Sequence, residues 1–167
     1  MHPTSQKVIV DGYNVIYADD RLRRFAIKNM ERARKEFVGL LRSYVEAKRI
    51  QVTVVFDGRG SLADADAVIP GKLQVVYSPR GQTADDLIIS TVRGAANPQS
   101  YLVVTSDRTH IIPVVRGLGC QVLGARRFLE RIASAEPDDP RPADEKPDPI
   151  SDDTDYWMDK FGDGDKS

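Results

Sequence analysis

Short runs of β-branched residues alternate along the first 134 residues with longer stretches in which apolar positions recur at helical spacing. Val8-Ile9-Val10, leading into Asp11, reads as a buried strand, and residues 52–56 form a second that ends at Asp57-Gly58. Residues 73–77, 101–105 and 121–123 supply three more, the fourth running out at Asp107. Between them, Met30, Ala33, Phe37, Leu40, Leu41, Tyr44 and Val45 fall on one helical face, opposite Arg32, Lys35, Glu36, Arg42 and Glu46. That pattern predicts an amphipathic helix lying on a sheet. The turn Pro79-Arg80-Gly81-Gln82 leads to Thr83, a good N-cap for a helix reaching about residue 96, where Asn97-Pro98 breaks it. Further helices are expected over 109–117 and 127–133, while 19–24 reads as a polar, basic connection and 59–71 as a loop. Strands alternating with helices predict an α/β fold: a mainly parallel sheet with helices on both faces.

The pattern stops at residue 136. Pro137, Pro140, Pro142, Pro147 and Pro149 are interleaved there with acids, and large apolar residues are nearly absent, which predicts a flexible segment. Tyr156-Trp157-Met158 and Phe161 then form a small apolar cluster, either docked on the body or offered to a partner. The expected division is a domain over 1–134, an acidic proline-rich linker over 135–155 and an aromatic motif over 156–167. Charge follows the same boundary. Residues 136–167 hold 12 acids and 4 bases, residues 1–135 hold 13 acids and 20 bases, and the near-neutral total conceals this asymmetry. A basic body suits a polyanionic partner, although a solvated Arg- and Lys-rich surface explains the charge almost as well. Cys120 is a single cysteine, expected to be buried packing; no stretch approaches the length of a membrane span, and residues 1–7 lack the apolar centre of a signal peptide. These features predict a cytoplasmic protein with no membrane association.

The candidate chemistry is acidic. Asp11, Asp57 and Asp107 each follow the C-terminal end of a predicted strand, and Asp85 and Asp86 open a helix. In an open α/β sheet these positions share one edge, where ligands bind at a topological switch point. Two ionised carboxylates about 4 Å apart repel by roughly 4 kcal/mol at an effective dielectric near 20. A divalent cation relieves that repulsion, and hard oxygen donors suit Mg²⁺ or Mn²⁺, which activate water against a phosphodiester. Each aspartate taken singly has a plainer explanation. Asp11-Gly12 and Asp57-Gly58 suit tight turns, Asp86 can close a capping box with Thr83, Asp85 can complement the helix dipole, and Asp107 can cap the next helix. Four element ends all choosing aspartate fit those explanations less well. His2 and His110 are too few and too separated for a zinc site, Ser106 has no triad histidine, and Gly58-Arg59-Gly60 lacks the lysine of a phosphate loop.

Val8-Ile9-Val10-Asp11-Gly12-Tyr13-Asn14 resembles the opening strand of NYN domains of the PIN-like nuclease superfamily, particularly the bacterial YacP-like group. Val54-Val55-Phe56-Asp57-Gly58, Gly81-Gln82-Thr83-Ala84-Asp85-Asp86 and Val104-Thr105-Ser106-Asp107-Arg108 resemble its later blocks in the same order, and the terminal Tyr156-Trp157-Met158-Asp159-Lys160-Phe161-Gly162 resembles an ending found in that group. The resemblance implies a PIN-like, Rossmann-like fold and metal-dependent endoribonuclease activity with Mg²⁺ or Mn²⁺. It implies Asp11, Asp86 and Asp107 as the main metal carboxylates, Asp57 and Asp85 assisting, with Asp11, Asp85, Asp86 and Asp107 forming the catalytic group. Asn14 would orient Asp11 or a phosphate, and Ser106 would hydrogen-bond near Asp107. Arg59, Arg80 and Arg108 are expected phosphate contacts from charge and placement. The group's association with messenger RNA decay and the ribosome makes RNA the expected partner, with a ribosomal context possible.

A non-catalytic RNA-binding module of the same fold is the alternative; loss of an acid would favour it, and all the expected acids are present. A phosphotransfer receiver domain needs an acidic pair after the first strand and a lysine after the fifth, which Gly12-Tyr13 and Gly124-Ala125-Arg126 do not supply. A haloacid-dehalogenase-type phosphatase needs a second aspartate where Tyr13 stands.

Overall fold

The computed structural model describes residues 6–58 and 68–134; Arg59, the acidic linker and the terminal aromatic motif lie outside the described residues. Five strands form one sheet: β1 (Gln6–Asp11), β2 (Ile50–Phe56), β3 (Leu73–Tyr77), β4 (Tyr101–Val104) and β5 (Gln121–Leu123). All pairings are parallel, in the order β3-β2-β1-β4-β5. Parallel strands need cover on both faces, so their residues are apolar on both sides. In β1, Val8 and Val10 enter one core and Ile9 the other; Val54 and Val55 divide in the same way in β2.

The first core is closed by α1 (Gly12–Ala18), α3 (Met30–Glu46) and α6 (Ala125–Ala133), which contribute Val15, Phe37, Leu41 and Phe128. The opposite face is covered by α4 (Ala84–Arg93) and α5 (Ile111–Gly117) through Ile88, Val92, Ile111 and Val115. The remaining helix, α2 (Asp20–Lys28), packs on α3 and buries Leu22. Cys120 is buried as expected, its thiol pointing to the Pro98 carbonyl at 3.2 Å.

The structure departs from the pattern reading most over residues 12–24. Residues 19–24 are not a connection: Asp19 accepts a hydrogen bond from the Leu22 N–H at 2.8 Å and starts α2, directly after α1. Leu22, Phe25 and Ala26 keep helical spacing there, but the surrounding arginines mask it, and seven residues of α1 are too few to show a period. Helix α4 also ends three residues early, at Arg93, because Gly94 closes it as C-cap.

What matters for the site is where the strand order reverses. From β1 the chain builds β2 and β3 on one side, then crosses back to lay β4 and β5 on the other. The C-terminal ends of β1 and β4 therefore flank a switch-point crevice. The return from β3 to β4 carries α4 across the sheet, with Ile88 in the same core as Ile9 and Val55, so its first turn arrives at that edge.

Candidate active site

Asp11 ends β1 and is 8% exposed. Its carboxylate accepts a hydrogen bond from the Thr105 hydroxyl at 3.2 Å, and the same hydroxyl oxygen accepts the Asp107 N–H at 3.1 Å. Thr105 is fully buried just beyond β4 and so links the ends of the two central strands. Asn14 makes a second link: its side-chain oxygen accepts the Ser106 N–H at 2.8 Å, while the Ser106 hydroxyl oxygen accepts the Ala125 N–H at 3.0 Å. Both polar side chains hold loops around the acids in place.

Asp107 is fixed by a local turn. Its Oδ1 accepts the Thr109 N–H at 3.0 Å, the Thr109 hydroxyl at 2.8 Å and the His110 N–H at 3.1 Å. Its Oδ2 lies 3.8 Å from His110 Nδ1. Asp85, in the first turn of α4, is hydrogen-bonded to Asp107 and repelled by it. One ligand atom each from Asp85, Asp107 and His110 lies within 4.8 Å of the others.

The electrostatics show how tightly the acids are gathered. Burial first, then the negative charge of Asp85, pushes the Asp11 carboxyl up to about 6 against the opposing hydrogen bond from Thr105. Asp85 is also raised, by burial and then by the hydrogen bond and charge of Asp107. Burial works on Asp107 in the same direction, but the hydrogen bonds from His110 and Thr109 outweigh it and hold this carboxyl below the ordinary range. Three carboxylates therefore sit together and cannot all ionise without mutual penalty. Oxygen donors in this arrangement fit a hard divalent cation, Asp85 and Asp107 being the carboxylates that would hold it and Asp11 lying behind them.

The other expected site residues stand as follows. Asp86 is exposed and turned back on its own helix: its carboxylate accepts the Thr83 N–H at 3.3 Å while the Thr83 hydroxyl accepts the Asp86 N–H at 3.1 Å, a complete capping box. The structure thus brings Asp85, rather than Asp86, to Asp107. Adjacent helical residues diverge by about 100°, and the capping bond decides which of the two turns inward. Asp57 lies beyond β2, where its carboxylate accepts the Ser78 hydroxyl at 3.1 Å and Gly58 adopts φ +94, so turn chemistry does operate there. Gly12 serves another purpose: a Cβ there would stand 2.3 Å from the Phe56 ring. Arg80 and Arg108 are exposed, on the turn leading to α4 and immediately after Asp107.

Thr105 and Thr109 join the site without having been singled out from sequence, and His110, weighed there only as a zinc ligand and set aside, joins it as well. Thr105 reads as the last residue of a β-branched strand. The only signal for the other two is Asp107-Arg108-Thr109-His110, in which an aspartate side chain can accept from backbone two and three residues on.

The family model of the YacP-like NYN domain matches residues 8–155. The protein YacP of Bacillus subtilis (strain 168) is 26% identical over 130 residues, covering 77% of this chain and 76% of that protein. The crystal structure of Rae1 (YacP) from Bacillus subtilis matches with a TM-score of 0.64 at 22% identity, over 94% of this chain and 84% of that one. A tryptophan-to-leucine mutant of Rae1 (YacP) matches with a TM-score of 0.61 at 26% identity, over 77% and 74% of the two chains. Among the described residues, no helix is long and apolar enough to cross a membrane. With its four aspartate-bearing blocks inside the matched span and its parallel sheet matching that of a solved relative, the chain belongs to the YacP-like NYN domain family, a PIN-like nuclease family.

Proposed function

We propose that this chain is a metal-dependent endoribonuclease that hydrolyses RNA phosphodiester bonds in the cytoplasm, in messenger RNA decay or ribosome-associated RNA processing. The observation that carries the reading is the convergence of Asp11, Asp85 and Asp107 at the switch-point edge, with two of the three carboxyls raised. A fold gains nothing from assembling repelling acids, whereas a cation-dependent centre requires them. Asp85 and Asp107 would hold the ion, with Asp11 completing the acidic wall and Thr105 fixing the spacing between Asp11 and Asp107. When bound, Mg²⁺ or Mn²⁺ polarises a phosphoryl oxygen and makes water a stronger nucleophile. Asp86 holds the first turn of α4 in position and adds charge beside Asp85. Arg108, beside Asp107 in sequence, and Arg80, on the turn that leads to α4, are exposed and suited to the phosphates on either side of the cut.

The test is cleavage of an end-labelled structured RNA with Mn²⁺, Mg²⁺ or EDTA, comparing wild type with Asp107→Asn. The expected result is internal cuts that require the cation and disappear in the variant. Cation-independent cutting, or cutting that survives in Asp107→Asn, contradicts the proposal. Protein that binds the RNA but cuts it neither alone nor on translating ribosomes is a binding module.

A further inference from the structure

Building on that reading, we infer that His110 gives the centre a nitrogen donor, so that the site discriminates in favour of Mn²⁺ and similar transition-metal ions over Mg²⁺. An acid-only site has no such preference built into its donor types. Here a ring nitrogen shares a sphere of 4.8 Å with oxygens of Asp85 and Asp107. The backbone places the ring there without relying on the ring itself: the His110 N–H is tied to Asp107 Oδ1 at 3.1 Å. Three donors occupy Asp107 Oδ1, and the other oxygen of that carboxylate, Oδ2, lies 3.8 Å from His110 Nδ1. That separation exceeds a hydrogen bond and is short enough for two atoms to face one ion. The Thr109 hydroxyl, 3.3 Å from Nδ1, competes for it and is already engaged with Asp107. With 74% of the His110 side chain exposed, the ring has open space in which to change rotamer.

Imidazole nitrogen is a ligand of first-row transition ions, manganese being the weakest binder of that series, while magnesium prefers an oxygen shell and keeps its waters. A ligand set of two carboxylates and one imidazole therefore separates the two ions through chemistry, not size.

Electron paramagnetic resonance of bound Mn²⁺ tests this directly, using the full chain and His110→Ala, with Asp85→Asn as the control for the site itself. The expected spectrum of wild type carries a nitrogen hyperfine coupling. It is lost in His110→Ala, whose Mn²⁺ affinity falls about tenfold or more while Mg²⁺, measured by competition, changes little. Mn²⁺ that binds at the Asp85-dependent site without nitrogen coupling overturns the role of His110 and leaves the nuclease reading intact. Equal losses of Mn²⁺ and Mg²⁺ affinity also overturn the preference. Absence of any binding that depends on Asp85 overturns both readings.

Discussion

Three aspartates a few residues from others of the same type do quite different things, and the difference lies in their hydrogen bonds. Asp86 is absorbed by the Thr83 capping box and Asp57 by Ser78, while Asp85 faces Asp107. Asp85→Asn should lower RNA cleavage by about a hundredfold or more with little change in stability. Asp86→Ala should remove a cap and cost about 1 kcal/mol in a denaturant melt, with a smaller loss of activity. Equal kinetic loss in both would mean that the capping geometry does not persist in the working enzyme. The sequence could not rank this pair, because adjacent acids at a helix start look alike until a capping bond selects one. Asp11 carries a pH signature. In the folded chain its carboxyl titrates near 6, against 3.8 for an ordinary aspartate, so between those values the folded state holds a proton that the unfolded chain releases. Its contribution is full below about pH 4 and lost as pH rises through about 6, a fall of about 3 kcal/mol. Asp107, held low, acts in the opposite sense at the acid end. Melts in EDTA should therefore show a steeper decline of stability over that window in wild type than in Asp11→Asn, where Asp85 is still raised. Identical profiles for the two would mean that Asp11 is not desolvated as described.

The helices and strands were legible wherever packing enforces a period. All five strands follow from short runs of β-branched and apolar residues and α3 from helical spacing, since strands here bury both faces and the helix one. The α1–α2 corner was not legible. Its first helix is only seven residues long, and its second carries its single buried side chain, Leu22, among charges. Gly12 at the entry to α1 shows a similar limit. Asp-Gly suggests a turn, yet the constraint is the Phe56 ring, itself fully buried and stacked 4.9 Å from Tyr13 and 5.6 Å from Tyr77. With no room for the ring to swing aside, Gly12→Ala should destabilise by about 1–3 kcal/mol in a urea melt. An unchanged midpoint would show that Phe56 can yield.

At the scale of the whole molecule, the strand order turns scattered aspartates into a site. Asp11 and Asp107 are far apart in the chain, but β1 and β4 are neighbours in the sheet, and the crossover from β3 delivers Asp85 between them. That convergence could be read from sequence because parallel strands have one C-terminal edge. The tethers that hold it, Thr105 and the Asp107 turn, could not, since threonines and Asx turns occur everywhere. Around this acidic centre the body of the chain is basic, which fits a polyanion brought to a cation-dependent edge. On the proposed function, the molecule gives up stability to keep its acids together for chemistry. The most direct test pairs two readings on Asp11→Asn: its melting temperature in EDTA near pH 8, and its cleavage of labelled RNA with Mn²⁺. The expected result is a variant at least as stable as wild type and without activity. A variant that melts well below wild type, or that still cuts RNA, would show that Asp11 serves the fold and not the reaction.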